Sequence, residues 1–235
     1  MDKISFIIPD STNKVTENKV TENKVTENKN KNENKVNEKN IYTKITTNVY
    51  RFNSVINNNN KSTLYNDALT YKQIGNLNKS IELFKMYEKE LDSSDTYKTY
   101  ELYINLALLA CETNSSYESV SNYYDKATQV CPDRAEPYYY FAIYCNKTQQ
   151  YEKSYELLQT ALKMRYEDVK DKYENVQISA YGKYLYDELS VTCYWLQKYE
   201  ESKSYLEKII NDNDFTELKP RLTSNLEQIE KEQHK

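Results

Sequence analysis

The chain has 235 residues, and its 36 acidic and 32 basic side chains leave a formal net charge of −4. So balanced a charge makes no strong field for nucleic acid or an anionic membrane, and neither is expected as a partner. Only two glycines and four prolines are present, too few for the tight turns of a sheet-rich fold, so the composition points to helices. The 25 tyrosines read as substitutes for Phe or Leu at packing sites, with their hydroxyls reaching the surface. The opening apolar run, Ile4 to Ile8, is cut by Pro9 and Asp10. It is too short for a signal-peptide core or a membrane span, and no later segment is long and apolar enough for either. A soluble, intracellular and cytoplasmic protein is therefore expected. Cys111, Cys131, Cys145 and Cys193 contain no C-x-x-C pair, and the single histidine, His234, is almost terminal. That set suits buried, reduced thiols better than a metal site or a nucleophile system, so no metal, cofactor or enzymatic activity is expected.

In chain order, residues 1–40 come first. Val-Thr-Glu-Asn-Lys recurs at 15–19, 20–24 and 25–29 and then decays into Asn, Lys and Glu. A five-residue period turns by about 140° per repeat on a helix, so Val15, Val20 and Val25 share no apolar stripe. An odd period also alternates faces on a strand. Too little apolar surface is available to offset the entropy of ordering, so a disordered low-complexity tail is expected. Slippage of a repetitive gene explains the pattern; a short linear motif is the functional alternative. Ile41, Ile45, Val49, Phe52 and Ile56 then fall at helical spacing, a candidate helix ended by the Asn57–Asn60 run.

From residue 61 to 232 one pattern recurs four times. A first helix carries a small residue, and a second small residue follows about a dozen positions later, with an apolar or small residue seven further on. The first unit has Ala68, Ser80 and Tyr87, with Gly75 at its turn. The second has Ala107, Val120 and Ala127, its turn at 113–116 carrying one extra residue. The third has Ala142, Ser154 and Ala161; the fourth has Ser190, Ser202 and Ile209. Small residues let two helices of a hairpin approach closely, and larger ones fill the space between hairpins. Capping oxygens from Asp92 to Asp95 separate units one and two. Pro132 and Pro137 bracket the start of unit three. A last helix over about 216–231 aligns Leu218, Leu222, Leu226 (or Asn225) and Ile229 as a solvating cap.

Counted between Ser80, Val120, Ser154 and Ser202, the intervals are 40, 34 and 48 residues. The middle one matches the tetratricopeptide (TPR) period of about 34 residues, and the third implies an insertion. The four motifs together resemble the TPR family. That resemblance implies an all-α TPR-like α-solenoid of four helical hairpins plus a capping helix, acting as an interaction or scaffold module that binds a peptide or protein. From Cys131 onward, Pro132 to Pro137, Asp187-Glu188-Leu189-Ser190, the run Tyr194 to Glu201, and Arg221 with Asn225 resemble more narrowly the TPR-like segment after the catalytic domain in some family 2 glycosyltransferases. This implies an accessory or remnant module of a glycosylation system. The catalytic α/β domain such enzymes need is replaced here by the tail. Asp212-Asn213-Asp214 fits an Asp-x-Asp pattern but reads as an inter-helix turn.

In a TPR stack the first helices line the concave surface. Pattern places Tyr65, Lys72 and Glu112 there, then Tyr139, Asn146 and Lys147, then Tyr184, Asp187, Tyr194 and Trp195. Aromatic anchors among polar groups suit peptide capture. Packing of the same aromatics against neighbouring hairpins is the alternative. Tyr65, Leu69 and Ile104 occupy positions where Lys, Asn and Arg would grip an acidic chaperone tail, so that specialisation is not expected. Arg134, Glu136, Asp187, Glu188, Arg221 and Asn225 read either as a buried polar network fixing the insert or as a small-molecule site.

Overall fold

A computed structural model describes residues 61–92 and 94–234; the tail over 1–40 and the candidate helix over 41–60 lie outside them. Four helical hairpins follow one another: α1 (Lys61–Gln73) with α2 (Leu77–Glu90), α3 (Thr96–Glu112) with α4 (Tyr117–Val130), α5 (Glu136–Lys147) with α6 (Tyr151–Ala161), and α8 (Leu185–Trp195) with α9 (Tyr199–Ile209). Between the third and fourth lies an irregular insert holding the one-turn α7 (Tyr166–Val169) and 3-10 turns at Ile178–Ala180 and Gly182–Tyr184. A 3-10 turn over Asn213–Leu218 leads into the final α10 (Lys219–Gln233). The described residues contain no strand, and none of their helices is long and apolar enough to cross a membrane.

All four hairpins turn by the same local chemistry. One residue adopts a left-handed conformation: Gly75 (φ 78), Asn114 (φ 51), Gln149 (φ 61) or Gln197 (φ 59). The next amide then reaches back five residues, from Asn76 to the Tyr71 carbonyl at 2.9 Å, Ser115 to Ala110 at 2.9 Å, Gln150 to Cys145 at 2.8 Å and Lys198 to Cys193 at 2.9 Å. This closure satisfies carbonyls that the helix end would otherwise leave bare. Only the first turn uses glycine, for which the conformation costs nothing. In unit two the helices are separated by four residues where the others have three, and the Ser116 side chain caps α4 by accepting from the Ser119 amide at 3.3 Å.

Closed this way, each hairpin brings its small residues together. Ala68, Ser80, Ala107, Val120, Ala127, Ala142, Ser154, Ala161, Ser190 and Ser202 all have zero exposure. In two units the second-helix serine adds a bond across the crossing, from Ser80 Oγ to the Ala68 carbonyl at 2.8 Å and from Ser202 Oγ to the Ser190 carbonyl at 2.7 Å. A larger side chain at these points would separate the backbones and lose that contact.

Second helices bury one stripe, as Ser154, Leu157, Leu158 and Ala161 do in α6, or Ser202, Tyr205, Leu206 and Ile209 in α9. First helices are covered on more sides; α8 is buried at nearly every position from Asp187 to Tyr194. The reason is layering. Each second helix packs on the next first helix, and α3 also meets α5 as α5 meets α8, so the first helices form an inner layer. α10 covers the last hairpin with Leu222, Asn225 and Ile229. It starts at Lys219, three residues later than the pattern predicts, because the preceding 3-10 turn takes those residues and leaves Leu218 39% exposed.

The turns give a direct test. Gln149→Gly relieves a left-handed non-glycine residue and is expected to gain roughly 0.5–1 kcal/mol, while Gly75→Ala loses about as much. Ala142→Leu, at a crossing with no free space, is expected to lose roughly 1–3 kcal/mol. Denaturant melts of the three variants measure these shifts.

Candidate functional site

The inner layer is tied sideways by polar side chains. Lys72 Nζ donates to Asn105 Oδ1 at 3.0 Å, linking α1 to α3. Asn146 Nδ2 donates to Glu188 Oε2 at 3.0 Å, and its Oδ1 accepts from Thr192 Oγ1 at 3.0 Å, linking α5 to α8. Ser154 Oγ lies 3.2 Å from the same threonine hydroxyl. Arg221 reaches both Asp187 oxygens, and Gln228 donates to the Tyr194 hydroxyl at 3.2 Å, so α10 clamps α8.

These bonds sort the residues that the helical pattern aimed at a partner. Asn146, Asp187 and Tyr194 are buried at 1%, 7% and 9% exposure. They join one helix to the next and present little surface. Tyr139 is half-buried, its ring 5.6 Å from that of Tyr140, and burial together with the carboxylates of Glu188 and Asp187 raises its phenol. Tyr184 donates to Asp214 at 2.8 Å and packs on Phe215. Lys147 and Glu112 are exposed, and so is Trp195, which stacks on Tyr151 at 5.5 Å and 9°.

Arg134, only 1% exposed, is a second organising point. Its guanidinium forks onto Glu136 at 2.7 and 3.3 Å and donates to the carbonyls of Glu174 (3.3 Å) and Asn175 (3.2 Å). It also lies 4.1 Å over the Tyr100 ring. Glu136 accepts in addition from the Tyr181 hydroxyl at 2.8 Å and the Gln177 amide at 2.9 Å. Both charges are thus matched and bonded, the condition under which a buried pair is tolerated. The pair holds the insert across the start of unit three. It is bonded separately from Asn146–Glu188 and Asp187–Arg221, so Arg134 and Glu136 do not share one network with Asp187, Glu188 and Arg221.

Held there, the insert extends its tip to unit two, where Asn175 (φ 54) donates to the Tyr97 hydroxyl at 2.6 Å. Asn175 becomes the rim of a cleft of about 690 Å³ whose other walls are Tyr65 on α1, Tyr87 on α2, and Tyr97, Glu101 and Asn105 on α3. Tyr65 packs edge-on against Phe84 at 5.5 Å and tilts against Tyr87 at 5.3 Å. Glu101 is half-buried, and that burial raises its carboxyl. Of these residues only Tyr65 was singled out from sequence as facing a ligand. Glu101 and Asn105 could have been found one helical turn or one residue from Ile104; nothing local announces Asn175.

Asp212 and Asp214, of the Asp-x-Asp pattern, both contact Lys183 at 2.8 Å, and Asp212 caps the 3-10 turn by accepting from the Asp214 amide at 3.0 Å. They tie the turn after α9 to the residues before α8. No group of three or more His, Cys, Asp or Glu placed to hold a metal occurs among the described residues. The four cysteines are free and Cys111 alone is not buried; burial pushes the Cys145 and Cys193 thiols up to about 12.

Glu188 makes the seam sensitive to pH. Burial, then the neighbouring Asp187, raises its carboxyl to about 7 from 4.5. The folded state therefore favours the protonated acid. That contribution is complete below the unfolded value and is lost as pH rises through about 7, by at most about 3 kcal/mol. Glu188→Gln is expected to gain stability at about pH 8 and to lose this part of the pH dependence, read from urea melts at about pH 5 and about pH 8. Arg134→Met leaves Glu136 buried without its cation and is expected to cost roughly 3–5 kcal/mol in the same assay.

No protein-family model matches the sequence, and no curated protein matches it. Solved structures do resemble the fold. A chain described as "Functional Characterization of Pseudomonas Aeruginosa pilF" superposes with a TM-score of 0.55 at 14% identity, covering 74% of this chain and 69% of that one. A second, "MamA RS-1 ArsTM double mutant", gives 0.49 at 13% identity, over 74% of this chain and 96% of its own. The first likeness agrees with the hairpin geometry: the described residues form an all-α, TPR-like solenoid.

Proposed function

We propose that this protein is a scaffold that holds a peptide or protein segment along the inner layer of first helices, without catalysing a reaction. The observation that carries this reading is the open cleft between α1, α3 and the insert tip, a concave, aromatic-walled space on that layer. Exposed Trp195 and Lys147 extend the same line of first helices beyond it. Trp and Tyr supply large rigid contact area at low entropic cost, and truncating such an anchor commonly costs a complex roughly 1–2 kcal/mol or more, about a tenfold loss of affinity.

The narrower resemblance to glycosyltransferase-associated segments would make the partner part of a glycosylation system. Its signature residues have structural work here, since Arg134 and Glu136 hold the insert while Asp187 and Arg221 hold the cap. That supports a shared architecture more than a shared activity.

A photo-crosslinking amino acid placed at Tyr65 and at Trp195 is expected to trap the same partner in cells of origin. The same group at Glu156 on α6, whose side chain is 70% exposed on a second helix, is expected to trap none. Equal labelling at all three positions, or labelling at Glu156 alone, would contradict a partner on the first-helix layer.

A further inference from the structure

We infer that the cleft at units one and two selects a basic side chain, lysine or arginine, within the partner segment. This deepens the scaffold reading above and rests on it. Three ionisable carboxylate or ammonium groups line the cleft: Asp95, Lys98 and Glu101. Asp95 and Lys98 are 3.0 Å apart and neutralise each other. Glu101 is left as the unmatched charge. Among the described residues no hydrogen bond or ion pair reaches its carboxylate, although its backbone carbonyl accepts from Asn105 at 2.9 Å. The two cations in its field are committed elsewhere, Lys72 to Asn105 at 3.0 Å and Arg134 to Glu136 at 2.7 Å.

A half-buried carboxylate without a partner is destabilised by lost hydration, and a cation that enters restores what burial removed. The walls suit the same guest. Tyr65 and Tyr97, both half-buried, present aromatic surface, whose electron-rich faces attract ammonium and guanidinium groups. Asn105 and Asn175 offer amides at the floor and rim. A metal ion would want several anionic or imidazole ligands, and the cleft has one carboxylate beyond the Asp95–Lys98 pair. An acidic guest would meet Glu101 directly and be repelled.

The test is selection of random short peptides displayed on phage against the full chain and against Glu101→Gln, with circular dichroism melts confirming that the variant folds. Peptides enriched on the full chain are expected to carry Lys or Arg at one fixed position. Replacing that residue by norleucine, or Glu101 by Gln, is expected to weaken binding by about tenfold or more, and added salt to weaken only the basic peptide. Enriched peptides that lack a basic residue and ignore Glu101→Gln, but lose affinity on Trp195→Ala, would overturn this inference and leave the scaffold reading standing. If no peptide is enriched, both fall. Glu101→Gln could instead speed hydrogen exchange in residues 1–60, or dissociate a dimer seen by light scattering. Either result would assign the cleft to the chain's own tail or to a second copy, and would overturn the partner assignment.

Discussion

Everything in this array depends on how closely two helices of a hairpin can cross. The crossing points have zero exposure and no side chain larger than valine on the second helix. At two of them a serine hydroxyl bonds to the opposing backbone carbonyl. That spacing fixes the angle at which the second helix meets the next first helix, and hence the alignment of the inner layer. The left-handed turn residues enforce it from the end of each hairpin, where the same five-residue reach-back recurs four times. Little of this is one large energy. It is a repeated small constraint, and repetition gives a stack its cooperativity.

The insert departs from that repetition. A stack of identical hairpins would have a smooth inner face, with side chains spent on joining neighbours, as Asn146 and Asp187 are. The long connection between α6 and α8 is instead captured by the buried Arg134–Glu136 pair and led back to unit two. There its tip meets Tyr97 and makes a rim. A local electrostatic arrangement in unit three thereby shapes a cleft on units one and two. Removing the pair should loosen the rim as well as the insert, since among the described residues Tyr97 is the other helix side chain bonded to Asn175.

The hairpins were legible in the sequence because their signal is local: a small residue, a dozen positions, another small residue, and a turn that tolerates a left-handed residue. Gly75 declared itself; Gln149 and Gln197 did not, because their strain is offset by closure elsewhere. The inner-face residues were half legible. Helical position puts Asn146 and Asp187 on the first helices, but it cannot tell that Glu188, Thr192 and Arg221 stand where they bond to them. Trp195 stays exposed although it stacks on Tyr151 and meets Tyr194 edge-on. Least legible was the cleft. It exists through a contact between Tyr97 and Asn175, distant in sequence and separated by two hairpins' worth of packing, which no periodicity encodes.

On this reading the first-helix layer is a binding surface. Hydrogen exchange of the full chain, with and without a bound segment selected against it, addresses this most directly. A bound segment is expected to slow exchange in α1, α3 and the 174–177 tip, with α4, α6 and α9 unchanged. Protection confined to those second helices, or spread evenly along the stack, would contradict it.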